Sequence, residues 1–364
     1  MRIVFRTDAS IRIGTGHVMR CLTLAQELRR NYHPVEIIFI CRTHEGHLAD
    51  LIKRKAFIVY LLQPPNERFV PRSYPDHAAW LGASQDEDAE QTYHVIKSHI
   101  NEKIDWLVVD HYGIESGWHK KLRSLTQKIM VIDDLADRNL DCDLLLNQNF
   151  GADCRHYEKK INANCHTLMG TQYTLLRPEF AVLREKTLAR RREITIPERL
   201  LIALGGTDPD NVTGKILQAL DLSVWKRTDV ILAATAPHLK QVKEICESFT
   251  NISVHVSTDN MAELMSCTDL AFGAAGTSTW ERCALGLPTL LVINAENQKM
   301  TARQLDKNKA IILLGPFNNI NAKIIRTGMN NILNCKKKYA ALVSACSQIC
   351  DGSGTFLVAK KMAN

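Results

Sequence analysis

The sequence predicts an α/β protein with two doubly wound domains, and three observations predict it. Short apolar runs rich in Val and Ile alternate with helical patterns along the whole chain, which is typical of βαβ units and parallel sheets. The length of 364 residues exceeds the size at which a single hydrophobic core stops growing. The alternation is interrupted by a basic, polar segment at residues 187–197, which ends in a proline, and then starts again. We therefore expect two domains joined by an exposed linker.

The first domain, expected over residues 1–186, carries six runs with the length and composition of buried strands. We predict these strands at residues 2–6, 35–41, 57–61, 106–110, 129–133 and 144–147. Helical periodicity between them predicts helices at residues 18–30, 46–54, 87–100 and 117–125. One doubly wound sheet accounts for this order of elements.

The second domain, expected over residues 198–338, repeats the same alternation of strands and helices. Its strands are predicted at residues 200–204, 230–234, 253–256, 270–272, 289–293 and 311–314, with a helix at 211–220. No sequence period relates the two halves, so only their topology is repeated. The last stretch, residues 339–364, is helical, and we expect it to pack back on the first domain.

Composition excludes several classes of protein. With 45% apolar and 23% charged residues the chain is typical of a soluble globular protein. The net charge of +7 is scattered apart from two short basic runs, which indicate solvated helix faces and not a nucleic-acid site. Eleven cysteines without a CxxC pair predict neither a disulfide framework nor a zinc site. No signal peptide and no apolar run of roughly 18 residues is present, so we expect a cytoplasmic protein without a membrane span.

A glycine loop follows the first strand, and a histidine comes directly after it, at the start of the predicted helix. Gly14 and Gly16 flank a threonine, and His17 comes next. Ligands of open parallel sheets bind outside the carboxyl ends of the strands, so we expect this loop to form an active site. A neutral imidazole is a good general base near pH 7, although a helix N-terminus disfavours its protonated form. We take Asp8 as the compensating carboxylate because it is near in sequence. The alternative is a structural histidine satisfied by backbone.

Two further groups of polar residues end strands of the first domain. Residues 110–113, Asp-His-Tyr-Gly, follow the fourth strand, and the pair Asp133 and Asp134 follows the fifth. These groups contribute to the same site, or the paired carboxylates cap loops or pair with Arg138. Their spacing matches no closed metal site, and we expect no metal.

The first glycine pair of the second domain follows its first strand. Gly205, Gly206 and Thr207 precede a helix, so their backbone amides can approach an anion. A tight turn in which Asp208 caps the helix explains the same residues. The sequence leaves both alternatives open.

The second glycine loop of this domain, residues 273–281, combines small residues, hydroxyl groups and a carboxylate at one strand-to-helix junction. Gly276, Thr277 and Ser278 could hold a diphosphate, and Glu281 could accept hydrogen bonds from ribose hydroxyls. No lysine accompanies the loop, so it is not a Walker A motif. A plain capped helix start is the alternative, but it does not require the small residues.

These motifs together resemble a known family. Residues 5–17, 110–113, 144–147, 173–180, 205–208 and 297–298 resemble, in the same order, the UDP-sugar hydrolases of pseudaminic acid biosynthesis. That family is similar to the MurG-type glycosyltransferases. The resemblance implies two Rossmann-like domains in a GT-B arrangement with an interdomain active-site cleft, and UDP bound mainly by the second domain.

The resemblance also implies a reaction and roles for residues. His17 would activate water for attack at the anomeric carbon of UDP-2,4-diacetamido-2,4,6-trideoxy-beta-L-altropyranose, releasing UDP and the free sugar. Tyr112 would line the sugar pocket, Arg177 and Asn297 would contact the substrate, and Glu281 would hold the ribose. The uracil would lie near residues 256–261. We expect a monomer whose partner is this small molecule and which needs no cofactor.

Three other functions stay open at this point. A glycosyltransferase would share the fold and the UDP site, and it would add a broad acceptor surface. A hydrolase of a related UDP-sugar would differ only in the shape of its sugar pocket. A regulator would bind the nucleotide sugar without turnover, although the presence of His17 argues against it.

Overall fold

The computed structural model describes residues 1–66, 69–70, 75, 77–100 and 102–364, without the side chain of Asn297. The chain divides into two compact units. The first unit comprises Met1–Leu175 together with Gly354–Asn364, and the second comprises Leu176–Ser353.

The first unit is built on a parallel sheet. Within the described residues its strands are β1 (Arg2–Thr7), β2 (Glu36–Arg42), β3 (Ile58–Leu62), β4 (Ile104–Asp110), β5 (Thr126–Ile132), β6 (Leu144–Asn147) and β7 (His166–Met169). Their order across the sheet is β3-β2-β1-β4-β5-β6-β7. The helices are α1 (Gly16–Asn31), α2 (Ala49–Arg54), α3 (Gln85–His99) and α4 (Ser116–Leu122).

The second unit has a similar sheet with the order β10-β9-β8-β11-β12-β13. Its strands are β8 (Arg199–Ala203), β9 (Arg227–Leu232), β10 (Ile252–Val256), β11 (Leu270–Ala274), β12 (Thr289–Ile293) and β13 (Ile312–Pro316). Its helices are α5 (Pro178–Glu193), α6 (Val212–Ala219), α7 (Leu239–Glu247), α8 (Met261–Cys267), α9 (Ser278–Ala284), α10 (Lys299–Lys307), α11 (Ala322–Leu333) and α12 (Lys336–Ser347). The last helix of the chain, α13 (Gly354–Ala363), belongs to the first unit.

The apolar runs form strands because both faces of each sheet are covered. In β1, Ile3 and Phe5 belong to one buried cluster, and the intervening Val4 belongs to another on the opposite face. Successive side chains of a strand point to opposite faces, and a parallel sheet with helices on both sides buries both. The near-continuous apolar runs seen in the sequence follow from this burial.

The order of the strands places the loops that carry polar residues. In the first sheet β1 lies between β2 and β4, and in the second sheet β8 lies between β9 and β11. The chain adds strands on one side of this central strand and then reverses to add strands on the other side. Such a reversal is the topological switch point, where open α/β sheets bind ligands beyond the carboxyl ends of the strands. The loops after β1 and β4 therefore meet in the first unit, and the loops after β8 and β11 meet in the second.

The expected linker at residues 187–197 differs from the structure, in which helix α5 runs from Pro178 to Glu193. The basic character of this segment suggested an exposed connection, yet Arg191 is buried and donates hydrogen bonds to the backbone carbonyls of Met265 and Leu285. The segment is thus part of the second unit, and the division falls at Leu175 instead of residue 186.

The C-terminal stretch also divides differently from the expectation. Helix α12 stays with the second unit, and only α13 packs in the first, against α1. Strand β7 was absent from the predicted elements because it has four residues and only one fully buried side chain. Among the described residues, no helix has both the length and the apolar character that crossing a bilayer requires.

Candidate functional site

The loop after β1 brings His17 to the first turn of α1. Gly14 has φ of 81°, a left-handed conformation that favours glycine, and its amide donates to the carbonyl of Ser10 over 2.8 Å. The Ser10 hydroxyl accepts from the amide of Ile13 at 2.8 Å, which closes the turn. At Gly16, the first residue of α1, a Cβ would meet no atom within 4 Å, so the backbone is open on that side.

His17 forms a hydrogen-bonded trio with Asp110 and Arg20. The Nδ1 atom of His17 lies 2.6 Å from Oδ1 of Asp110, at the end of β4. Arg20, one turn further along α1, binds the same carboxylate through two bonds of 2.6 Å, from Nε to Oδ2 and from Nη2 to Oδ1. All three side chains are buried or nearly so, which fixes their mutual orientation.

The protonation state of Asp110 determines which imidazole nitrogen is free. Burial raises the pKa of Asp110, but the Arg20 charge and the hydrogen bonds from Arg20 and His17 outweigh it and hold the pKa below its usual range. An ionised carboxylate only accepts hydrogen bonds, so Nδ1 of His17 carries the proton. The lone pair of a neutral His17 is therefore on Nε2, which is the arrangement a general base needs.

The predicted pairing of Asp8 with His17 is wrong. Asp8 Oδ1 accepts from Nη1 of Arg6 at 2.7 Å and from the amide of Arg42 at 2.6 Å. Burial raises its pKa, but the Arg6 charge outweighs the burial and holds the pKa of Asp8 below its usual range. Nearness in sequence misled this prediction, because parallel pairing brings β4, and with it Asp110, next to β1.

Tyr112 lies on His17 from the loop after β4. The centroids of the two rings are 4.6 Å apart in an edge-to-face arrangement. The Tyr112 hydroxyl donates to Oδ1 of Asp134 at 2.5 Å. Burial and then the Asp134 charge raise the pKa of Tyr112 well above its ordinary value, so the phenol stays protonated. Trp80 and His77 extend this aromatic group, with centroids 6.3 Å from His17 for Trp80 and 5.3 Å from Tyr112 for His77.

The two adjacent carboxylates Asp133 and Asp134 have different partners. Arg138 binds Asp133 with a 2.8 Å ion pair, and Asp133 Oδ2 also accepts from the amide of Ala136 at 3.0 Å. Pairing with Arg138 and capping of the loop, which the sequence left open, are therefore both observed at Asp133. Asp134 accepts from Tyr112 and from the side-chain amide of Asn149, at 2.8 Å for the latter. Both carboxylates thus orient neighbouring side chains of the first unit.

In the second unit the loop after β8 is exposed at Gly205, Gly206 and Thr207. Gly205 has φ of 111°, and a Cβ there would meet no atom within 4 Å. Asp208 accepts from the first two amides of α6, at 3.1 and 2.8 Å, and Asn211 accepts from the third at 3.1 Å. The capping role of Asp208 is therefore observed, and the exposed loop before it remains accessible to an anion.

The loop after β11 has the small residues and the carboxylate on one junction, as expected. Thr277 precedes α9 without making a side-chain capping hydrogen bond, and at Gly276 a Cβ would find only Nε2 of Gln298, at 4.0 Å. Glu281 follows one turn into the helix. Burial raises the pKa of Glu281, and the nearby Arg177 opposes that rise.

Arg177 connects this carboxylate with another loop of the second unit. Its Nη2 lies 3.9 Å from Oε1 of Glu281, and its Nη1 donates to the carbonyl of Asp259 at 2.8 Å. Asp259 lies within the segment expected near the uracil. Asn297 belongs to a short 3₁₀ turn, Glu296–Gln298, but its side chain lies outside the described part of the structure.

Sequence reasoning missed three members of the first site. It noted Asp110 only as one of several polar groups, and it assigned no role to Arg20 or Trp80. The signal for Asp110 and Arg20 was present, since the strand order of doubly wound sheets places the fourth strand beside the first. No local pattern pointed to Trp80.

Comparison with known families supports the reading of the second unit. Residues 200–342 match the glycosyltransferase family 28 C-terminal domain. This segment contains the loops after β8 and β11, and it contains Glu281 and Asn297.

Several relatives match most of the chain. It is 27% identical over 308 residues to the UDP-2,4-diacetamido-2,4,6-trideoxy-beta-L-altropyranose hydrolase of Campylobacter jejuni, which covers 84% of this chain and 97% of that protein. It is 27% identical over 310 residues to the protein MJ1062 of Methanocaldococcus jannaschii, covering 82% of this chain and only 57% of that longer protein. The resemblance inferred from the motifs is confirmed as a sequence similarity to the Campylobacter protein.

A solved structure shows the fold. The crystal structure of MurG from Acinetobacter baumannii superposes with a TM-score of 0.66 at 12% identity, covering 100% of this chain and 99% of that one. Both units are Rossmann-like, and the chain has the GT-B glycosyltransferase-like fold that was expected.

Proposed function

We propose that this protein is an enzyme that acts on a UDP-sugar, and that it hydrolyses UDP-2,4-diacetamido-2,4,6-trideoxy-beta-L-altropyranose. The products are UDP and 2,4-diacetamido-2,4,6-trideoxy-L-altrose, and the reaction takes place in the cytoplasm. The free sugar is used in pseudaminic acid biosynthesis and, through it, in flagellin glycosylation. The similarity to the Campylobacter hydrolase over 84% of the chain supports the substrate. The arrangement of His17, Asp110 and Arg20 supports the chemistry.

The single observation that carries the proposal is the protonation geometry of His17. Asp110 accepts from Nδ1, so Nε2 presents a lone pair on a side chain whose orientation is fixed by burial. A base that activates water requires this tautomer and a rigid position. A histidine satisfied only by backbone would not require a buried carboxylate held in turn by an arginine.

In the proposed reaction, a water molecule attacks the anomeric carbon while Nε2 of His17 takes one of its protons. The bond between that carbon and the glycosidic oxygen of the diphosphate breaks, and UDP leaves with the bonding electron pair. The sugar passes through an oxocarbenium-like centre. His17 becomes an imidazolium and then returns its proton to solvent. Asp110 keeps the ring oriented and accepts from Nδ1 throughout, as the orienting carboxylate of a catalytic triad does.

The second unit binds the nucleotide in this proposal. The exposed amides around Gly205 and Gly276 take the diphosphate, whose charge increases as the bond to the sugar breaks. Glu281 accepts from the ribose hydroxyls, and Arg177 holds that carboxylate in place. Support comes from the match of residues 200–342 to a glycosyltransferase C-terminal domain.

The same match favours a second candidate function, transfer of the sugar to an acceptor other than water. Both candidates use UDP as the leaving group, so binding of UDP does not separate them. They differ in whether the sugar appears free in the absence of any acceptor.

The test is release of UDP and free sugar from the purified full-length chain in buffer containing only the UDP-sugar. We expect rapid turnover by the wild type and its loss in His17→Ala, with UDP affinity nearly unchanged. His166→Ala, at an exposed histidine of β7, is the matched control and should remain active. Binding of UDP without turnover would favour the transferase, and equal loss of binding and turnover in His17→Ala would make His17 structural.

A further inference from the structure

A buried cation lies beneath the glycine loop after β11. Arg282, in the second turn of α9, is only 1% exposed. Among the described residues, no carboxylate oxygen is within 4.0 Å of its guanidinium group. Burial lowers the pKa of Arg282 to about 10, so the side chain is still charged at neutral pH. The Glu281 charge opposes this lowering of the pKa but forms no ion pair with Arg282. A buried charge without a close counter-charge is costly, which calls for an explanation.

The guanidinium group binds the loop from below. Its Nη1 donates to Oγ of Ser278 at 3.0 Å, and its Nη2 donates to the carbonyl of Ala274 at 2.7 Å and to Oγ1 of Thr279 at 3.0 Å. These three acceptors span the whole turn from the end of β11 to the start of α9. Arg282 therefore holds the backbone of the loop in one conformation.

The two glycines of the loop serve different purposes. A Cβ at Gly273 would lie 2.5 Å from Cζ of Arg282, which no real contact allows, so this glycine makes room for the cation. At Gly276 a Cβ would meet only Nε2 of Gln298, at the 4.0 Å limit, so an anion can approach the backbone there. One glycine thus admits the guanidinium beneath the loop, and the other exposes the amides above it.

Another buried arginine of the same unit shows what a purely structural cation looks like. Arg191 also lacks a carboxylate within 4.0 Å among the described residues, but it donates to three carbonyls at the ends of helices. These acceptors are Met265 and Thr268, at the end of α8, and Leu285, which follows α9. Helix C-termini carry partial negative charge and compensate Arg191. Two of the three acceptors of Arg282 are neutral hydroxyls, so its charge is less compensated.

The bond to Ser278 has a consequence for the exposed side of the loop. A serine hydroxyl has one hydrogen to donate and two lone pairs. Because Arg282 occupies a lone pair of Oγ, the Ser278 hydrogen is free to point away from Arg282. A half-exposed hydroxyl held in this way is a donor for an anion that rests on the loop.

We propose that Arg282 is a positioning residue for the diphosphate of the nucleotide, acting through Ser278 and through its own buried charge. This inference rests on the proposed function, in which the loop binds UDP. The diphosphate supplies the counter-charge that Glu281, which forms no ion pair with Arg282, provides only in part. Arg282 also stabilises the charge that develops on the diphosphate when the sugar leaves, because a fixed charge in a dry site needs no reorganisation.

The test measures binding of UDP, UMP and uridine to the full-length chain by calorimetry. Arg282→Gln keeps a hydrogen-bond donor but removes the charge, and Arg282→Lys keeps the charge. We expect Arg282→Gln to weaken UDP binding about ten- to hundredfold, to weaken UMP binding less and to leave uridine unchanged, because the lost charge and the Ser278 hydroxyl that it orients act only on phosphate groups. Arg282→Lys should recover most of the affinity. Arg191→Met is the control and should lower the melting temperature without changing the affinity for UDP.

Ser278→Ala keeps the test decisive where substitutions at Arg282 prevent folding. It should weaken UDP binding about tenfold and leave uridine binding at the wild-type value. An unchanged ratio of UDP to uridine affinity in Arg282→Gln would overturn the proposal and leave the UDP site intact. If Arg282→Gln does not fold, an unchanged ratio in Ser278→Ala has the same meaning. A wild-type protein that binds no UDP would overturn the proposed function itself, so the two failures are distinct.

Discussion

The imidazole of His17 and the carboxylate of Asp110 meet over 2.6 Å, although 93 residues separate them in the chain. The first begins α1 and the second ends β4, and the parallel pairing of β1 with β4 makes them neighbours. Arg20 binds both oxygens of the same carboxylate. With neutral His17 the trio has no net charge, so Asp110 serves chiefly to set the tautomer and the direction of the ring.

Replacing Asp110 by Asn should lower kcat about 10³- to 10⁴-fold and leave the affinity for UDP near its wild-type value. The amide of Asn can donate to Nδ1, which would put the imidazole proton on Nε2 and remove the lone pair that takes a proton from water. The measurement is single-turnover release of UDP, with the concentration of folded enzyme determined from UDP binding. Arg20 loses its partner in this variant, and we expect a drop of about 3–5 kcal/mol in the free energy of unfolding.

Asp8→Asn is the matched control, because Asp8 is also buried and also paired with an arginine. Arg6 keeps its ion pair with Asp88, so the charge is not orphaned. We expect a lower melting temperature and a change in kcat below about tenfold. Equal losses of kcat in the two variants would contradict a selective role for Asp110.

Glu281→Gln should weaken binding of UDP about tenfold, because an amide is a weaker acceptor for ribose hydroxyls than a carboxylate. The variant should bind UDP and 2′,3′-dideoxy-UDP with similar affinity, whereas the wild type should prefer UDP. Glu263→Gln, at an exposed carboxylate of α8, should behave as the wild type. A preference for UDP that survives in Glu281→Gln would show that the ribose is bound elsewhere.

Trp80→Ala should raise KM for the UDP-sugar about tenfold with little effect on the inhibition constant of free UDP. The indole lies in the aromatic group around His17, and an aromatic face of this size contributes mainly by covering apolar surface of its ligand. Trp80→Phe should keep most of the apolar contact, so its KM should stay near the wild-type value. Parallel weakening of the sugar nucleotide and of free UDP would rule out a specific contact with the sugar.

Acid should destabilise the first unit through the buried His119, which is 0% exposed. Burial, with the Arg138 charge adding to it, lowers the pKa of His119 to about 3 from its ordinary 6.5. Between these pH values the unfolded chain binds a proton that the folded chain does not, so stability falls as pH drops below 6.5. At pH 5 this loss is about 2 kcal/mol relative to pH 7.5.

His119→Gln should remove that contribution, so its free energy of unfolding in urea should fall less between pH 7.5 and pH 5. His166→Gln, at an exposed position, should retain the wild-type dependence. An identical slope in all three proteins would mean that His119 is protonated in the folded state.

Local patterns were sufficient to predict most strands and the loops that follow them. The apolar run at Thr289–Ile293 and the run at Leu144–Asn147 were predicted with the observed boundaries, because burial on both faces leaves few polar residues inside a strand. The positions of Gly205 and Glu281 at strand-to-helix junctions also follow from this pattern. Their roles in binding remain proposals.

Non-local relationships were the part that the sequence did not reveal. Asp8 was chosen as the partner of His17 because it is nine residues away, whereas the true partner comes from a strand that is adjacent only after the sheet forms. In the same way the charges of Arg190 and Arg191 suggested a solvated segment. Their acceptors are brought close by tertiary packing alone, as the bond from Arg191 to Leu285 shows.

Helix α13 gives the first unit an unusual order of assembly. Val358 and Met362 belong to its hydrophobic core, and the Met362 carbonyl accepts a hydrogen bond of 2.9 Å from the indole of Trp106. The ribosome makes residues 176–353 before these side chains exist, so the second unit can fold while the first still exposes the apolar face that α13 covers. During synthesis that face of α1 is open until Gly354–Asn364 emerge. The first unit is therefore completed after the second, although most of its chain is made first.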